Sequence, residues 1–151
     1  MTTVGRRNPV DDRDAAADDS RDDAPGSLHV FVVENHEDTR LSLCMLLEQL
    51  GHTVACAATM REALAALPTS GCDVLISDIG LPDGDGWELL RLADLPRPVY
   101  AVAMSGYGMN ADREKSRAAG YRHHLVKPMA LEEIEGVLVE ATQELRREAE
   151  A

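Results

Sequence analysis

From Leu28 onward, short blocks of consecutive apolar residues alternate with stretches whose apolar positions recur at helical spacing. Leu28–Val33 (LHVFVV) is compact and rich in β-branched residues, which predicts a strand. Asp38–Leu50 carries Leu41, Cys44, Met45, Leu47 and Leu50 along one stripe, as an amphipathic helix does, and Gly51 stands where a helix-ending glycine belongs. Thr53–Ala57 is the second strand. Thr59 can cap a helix over Met60–Leu67, with Glu62 placed for a capping box, and Pro68 and Gly71 punctuate the stretch between this helix and the third strand. Asp73–Ser77 (DVLIS) is that strand, nearly all apolar, the pattern of a strand covered on both faces. Gly86–Ala93 is a helix and Val99–Met104 a fourth strand. Asn110–Ala119 is a helix with a poor apolar face, closed by Gly120. Arg122–Val126 is the fifth strand. Ala130–Arg147 is a long helix with Leu131, Ile134, Val137, Leu138, Ala141 and Leu145 on its apolar side.

Five strands alternating with five helices predict an α/β fold, a doubly wound five-stranded parallel sheet of order 2-1-3-4-5, like that of flavodoxin. Ligands in such folds bind at the carboxyl ends of the strands. A site is therefore expected from the residues just after strands 1, 3, 4 and 5.

Composition narrows the classes. A chain of 151 residues holds one domain with a real core, expected over residues 28–149, and no second folded output domain. Residues 1–27 contain seven Asp and four Arg and almost no large apolar side chain, so they are expected to be a disordered acidic tail. The net charge of −12 argues against nucleic acid and anionic lipid as partners. No apolar run is long enough to span a membrane and no signal peptide is visible, so the expected location is cytoplasmic. Cys44, Cys56 and Cys72 fit neither a zinc pattern nor a closed disulfide framework and are read as small buried or half-buried residues. Only two lysines occur, Lys115 and Lys127.

Glu34 and Asn35 come after the first strand, Asp78 after the third, Ser105 after the fourth and Lys127 after the fifth. Singly, each has an ordinary explanation as a loop residue, a cap or a solvated charge. Together they gather two carboxylates, an amide, a hydroxyl and an ammonium in one crevice. Mg2+ takes hard oxygen ligands, which Glu34, Asn35, Asp78 and a backbone carbonyl can supply. Phosphoryl transfer needs positioning and charge neutralisation more than covalent help, and Lys127 and Ser105 suit that work, with Asp78 as nucleophile.

The motifs VVENHEDTR (32–40), LISDIGLPDGDGWELL (75–90), AMSGYG (103–108) and HHLVKP (123–128) resemble those of response-regulator receiver domains of two-component systems, over about Leu28 to Leu145. The resemblance implies Asp78 as phosphorylation site, Glu34 and Asn35 at the acidic pair for Mg2+, and the Gly80 carbonyl as a further metal ligand. It implies Ser105 as the switch hydroxyl, Lys127 as the phosphate-contacting lysine, a cis Lys127–Pro128 bond and His124 at the position of an aromatic switch. Partners implied are a histidine kinase or histidine phosphotransfer protein and an unknown output protein reached by contact, with the chain a monomer or weak homodimer. Phosphorylation is expected to bias the loop Gly106–Met109 and the helix Asn110–Ala119 between two arrangements, with that helix, the fifth strand and the last helix as the readout surface.

Two departures stand out. Asn35 replaces an acid, losing a charge worth up to ~4 kcal/mol at about 4 Å and an effective dielectric near 20, so weaker Mg2+ binding is expected. His124 replaces Tyr or Phe, which allows either a pH-dependent switch or an exposed polar ring with no sensor role. The other histidines, His29, His36, His52 and His123, show no metal-ligand geometry. Against a phosphoacceptor regulator stands an atypical, phosphorylation-independent binding module, supported by Asn35. An independent enzyme is not expected: Gly80 stands where a phosphatase of this fold would keep its second acid. The acidic run at Asp83 and Asp85 fails as a calcium loop.

Overall fold

The computed structural model describes residues 26–106 and 110–150, with the backbone alone at 110 and 111. Most of the tail expected over 1–27, and residues 107–109 of the loop after the fourth main strand, lie outside the described residues. The elements are β1 (His29–Val33), α1 (Glu37–Gln49), β2 (Thr53–Ala57), α2 (Met60–Ser70), β3 (Val74–Asp78), β4 (Gly80–Leu81), β5 (Gly84–Asp85), α3 (Gly86–Leu92), β6 (Tyr100–Ser105), α4 (Asn110–Ala119), β7 (His123–Val126) and α5 (Leu131–Glu150). The main sheet runs β2-β1-β3-β6-β7 and every pairing in it is parallel, as expected for order 2-1-3-4-5.

Alternation along each strand divides the core into two layers, since successive side chains point to opposite faces. Val30, Val32, Val74, Ile76, Val102 and Met104 meet Leu43 and Leu47 of α1 and Ile134, Val137, Leu138 and Ala141 of α5. Phe31, Val33, Leu75, Ala101 and Ala103 face Ala63 and Leu67 of α2 and Leu89 of α3. The register aligns the carboxyl ends: Val33 lies opposite Ser77, Asp78 opposite Met104, and Ser105 opposite Val126.

Four expectations need correction. A two-stranded antiparallel ladder, β4 with β5, comes immediately after β3; two residues per strand are too few for a periodic signal. Helix α2 runs through Pro68 to Ser70 and ends at Gly71, whose φ of 68° is left-handed. Proline's own φ is helical, and so near the end its missing N–H removes one hydrogen bond only. On α1 the buried residues are Leu43 and Leu47, while Leu41 and Met45 are exposed. The run LSLCMLL at 41–47 is apolar nearly all round, so spacing alone could not choose a face. Finally, Cys56 is exposed because β2 is the edge strand, whereas Cys44 is half-buried and Cys72 buried. Among the described residues, no helix is long and apolar enough to cross a membrane.

Candidate functional site

Strand termination places the charged groups. Mostly apolar residues hold β1, β3 and β6 between the two core layers, and the functional polar residues at their ends stay largely covered: Glu34 is 1% exposed, Asp78 9% and Ser105 7%. Lys127 comes directly after β7, and its N–H donates to the Ser105 carbonyl at 2.8 Å, which seats the side chain over the strand ends. The Lys127–Pro128 bond is cis, as expected.

Lys127 Nζ donates to Glu34 Oε1 at 2.5 Å and to Asp78 Oδ2 at 2.9 Å. Glu34 Oε2 accepts the His36 N–H at 2.9 Å. Asp78 Oδ1 accepts no hydrogen bond from the described residues. Burial pushes the Asp78 carboxyl above its ordinary value; the Lys127 ammonium opposes the rise and the Glu34 carboxylate adds to it. Burial alone would lower the Lys127 ammonium, but its bonds to Glu34 and Asp78 win and it moves up. One cation thus serves two carboxylates, and the trio keeps a net negative charge.

The loop after β1 is shaped by Arg40, whose Nη1 donates to the Glu34 carbonyl at 2.9 Å and the Asn35 carbonyl at 3.3 Å. His36 caps α1, its ring accepting the Thr39 N–H. The Asn35 side chain is exposed beside this cap. Gly80 is exposed in the short ladder, opposite Asp85. Gly86 is required by close approach: a Cβ there would stand 2.6 Å from the Asp78 carbonyl oxygen and 3.2 Å from Ile79 Cα. Asp83 accepts the N–H groups of Met60 and Arg61, and Asp85 accepts that of Glu88, so both acids cap helices. The two backbone bonds hold the Asp83 carboxyl below its usual range.

The donor set fits a hard divalent cation. Glu34 and Asp78 offer carboxylate oxygens, Asn35 stands exposed with its amide, and Asp78, itself buried, has an Oδ1 that accepts no hydrogen bond from the described residues. Among the described residues, no group of three or more His, Cys, Asp or Glu could hold a metal.

His124 is half-buried and engaged through both ring nitrogens, so it is not an exposed ring. Its Nε2 lies 2.7 Å from Ser105 Oγ and its Nδ1 2.8 Å from Ser116 Oγ. Ser116 Oγ also accepts the Trp87 indole N–H at 2.9 Å. The Lys115 ammonium sits over the Trp87 ring, 5.0 Å from its centroid. His123 turns the other way, to Tyr100 Oη and Glu140. The structure therefore unites Glu34, Asp78 and Lys127 by direct contact and brings Ser105 and His124 together. Sequence reasoning did not single out Arg40, Trp87 or Ser116. Only Ser116 carried a signal: a small residue three before Ala119 on a helix otherwise lacking an inward face.

The chain matches the family model "Response regulator receiver domain" over residues 30–139. It is 33% identical over 105 residues to an uncharacterized 14.6 kDa protein of Leptolyngbya boryana, covering 68% of this chain and 80% of that one. Several longer relatives match over the same region, and the chain spans 49% of one transcriptional regulatory protein and 9% of a sensor protein. Among solved structures, a CheY-like response regulator receiver domain protein of Methanospirillum hungatei superimposes with a TM-score of 0.69 at 30% identity, covering 78% of this chain and 98% of that one. The receiver domain of Saccharomyces cerevisiae Ssk1, solved with the histidine phosphotransfer protein Ypd1, shares the fold with a TM-score of 0.69 at 20% identity, covering 77% and 89%. Fold, strand-end residues and family match converge, and this chain belongs to the response regulator receiver domains of two-component systems.

Proposed function

We propose that this receiver accepts a phosphoryl group on Asp78 from a phosphohistidine donor and thereby switches a protein-binding surface. The observation that carries the reading is the pairing of Lys127 with both Glu34 and Asp78 while Asp78 Oδ1 accepts no hydrogen bond from the described residues. In this reading Asp78 Oδ1 attacks phosphorus; the new O–P bond forms as the donor's N–P bond breaks, and the electron pair leaves with the imidazole nitrogen. Lys127 stays beside the other Asp78 oxygen, where its ammonium can meet a phosphoryl oxygen. Ser105, one strand over, offers its hydroxyl to another. Glu34, Asn35 and Asp78, with the Gly80 carbonyl, would hold Mg2+, which when bound neutralises charge on the transferring group.

The donor is a histidine kinase or a histidine phosphotransfer protein; Ssk1, which shares this fold, was solved with such a protein. The chain turns over no separate substrate in this reading, works in the cytoplasm, and passes its signal by contact with an output protein. Incubation with acetyl phosphate and Mg2+ and then intact mass measurement tests it. One phosphate gained, and none in Asp78→Ala, is expected. No gain in the parent chain would favour the phosphorylation-independent binding module, for which Asn35 in place of an acid speaks.

A further inference from the structure

Ser116 is 1% exposed, so bulk solvent does not reach its hydroxyl and its hydrogen bonds are to protein groups. Its oxygen meets two groups, the Trp87 indole N–H and His124 Nδ1. An indole N–H only donates, which fixes Ser116 as acceptor on that side. The Ser116 proton then has one destination, the lone pair of His124 Nδ1. Were Nδ1 to carry a hydrogen instead, Ser116 would receive two donors and its own O–H would be buried without an acceptor, a costly arrangement. The neutral ring therefore carries its hydrogen on Nε2, and Nε2–H donates to Ser105 Oγ across 2.7 Å. Ser105 meets His124 as an acceptor, and its own hydroxyl proton is not spent on that bond.

We propose that Ser116, held by Trp87, is a positioning residue that fixes the His124 tautomer and so presents Ser105 as a hydrogen-bond donor toward a phosphoryl group on Asp78. The last step rests on the proposed function; the tautomer does not. The chain of bonds runs from β6 through β7 to Ser116 on α4 and Trp87 on α3. A shift of Ser105 toward phosphate pulls on His124 and is felt at the indole, which belongs to the only tryptophan in the chain. This gives the α3–α4 seam a polar connection to the site that packing alone would not supply.

The full chain, labelled with 15N at histidine and tryptophan, tests this in the parent sequence. Long-range 1H–15N correlation at alkaline pH, with His124 assigned by loss of its signals in His124→Gln, is expected to show hydrogen on Nε2 and a bare Nδ1. Hydrogen on Nδ1 would overturn the inference. In Ser116→Ala the tautomers should mix and phosphate uptake from acetyl phosphate should slow by about two- to tenfold, the weight of one hydrogen bond. Ser116→Thr should restore both. Phosphorylation should move the Trp87 indole signal in the parent chain and leave it nearly still in Ser116→Ala. If Asp78 gains phosphate while the indole signal stays put, or Ser116→Ala reacts at the parent rate, the inference fails and the proposed function stands. If Asp78 gains none, the proposed function fails while the tautomer result still decides the role of Ser116.

Discussion

Lys127 Nζ lies closer to Glu34 Oε1, at 2.5 Å, than to Asp78 Oδ2, at 2.9 Å. The lysine is thus a structural counterion for a glutamate whose side chain is 2% exposed as well as a neighbour of the candidate phosphoacceptor. Lys127→Met would leave two covered carboxylates facing each other without a cation. The variant should lose roughly 2–3 kcal/mol at neutral pH, less than the ~3–5 kcal/mol of a fully buried pair because the lysine is partly exposed. Adding Asp78→Asn should recover much of that loss, and denaturant titration of the single and double variants measures the coupling.

Asp78 itself should cost stability. Its carboxyl sits above the ordinary 3.8, first through burial. A group whose native pKa is raised holds its proton more tightly folded than unfolded, so its contribution weakens the fold as pH climbs through the interval above 3.8. Asp78→Asn should therefore melt at a higher temperature than the parent at neutral pH in metal-free buffer. The gap should close as pH falls toward the ordinary carboxylate value. Thermal melts across pH check this, and a less stable variant at neutral pH contradicts it.

Asn35 is exposed at the mouth of the site, where a carboxylate would add a charge without being desolvated. Asn35→Asp should bind Mg2+ about tenfold more tightly, a fraction of the limiting ~4 kcal/mol for one charge at contact. Calorimetric titration with Mg2+ reads this directly. Equal affinities would rule out a loss of Mg2+ binding from the missing charge.

Gly86 and Gly136 form a contrasting pair. A methyl group at Gly86 meets the backbone of Asp78 and Ile79, which cannot yield without moving the phosphoacceptor strand, so Gly86→Ala should cost about 1–3 kcal/mol. Gly136, inside α5, has nothing within 4 Å of its virtual Cβ, and Gly136→Ala should gain roughly 0.5–1 kcal/mol from helix propensity. Urea unfolding of the two variants separates close approach from chain flexibility.

The parallel sheet was legible because β1, β3 and β6 are covered on both faces and so are written as nearly continuous apolar runs. Glu34, Asp78 and Ser105 were legible because each is the polar residue that ends or comes after such a run, and Lys127 because it comes directly after the last strand. The ladder of β4 and β5 was not, being too short for a period. The face of α1 was not, because LSLCMLL offers apolar groups in every direction. Ser116 and Trp87 escaped notice for a different reason: they lie 29 residues apart on different helices, and neither residue type marks a hydrogen-bonded relay in a linear reading. His124 stood out as a replacement at an aromatic position, yet its two serine partners lie 19 and 8 residues away and were visible only in three dimensions.

The scarcity of lysine has a practical consequence. One of the two side-chain amines is shared by Glu34 and Asp78, and the other rests on the face of Trp87. An acylating reagent therefore finds one amine at the carboxylates and one at the far end of the polar chain. The ratio of the two adducts in a peptide digest reports separately on events at the strand ends and on opening of the α3–α4 seam.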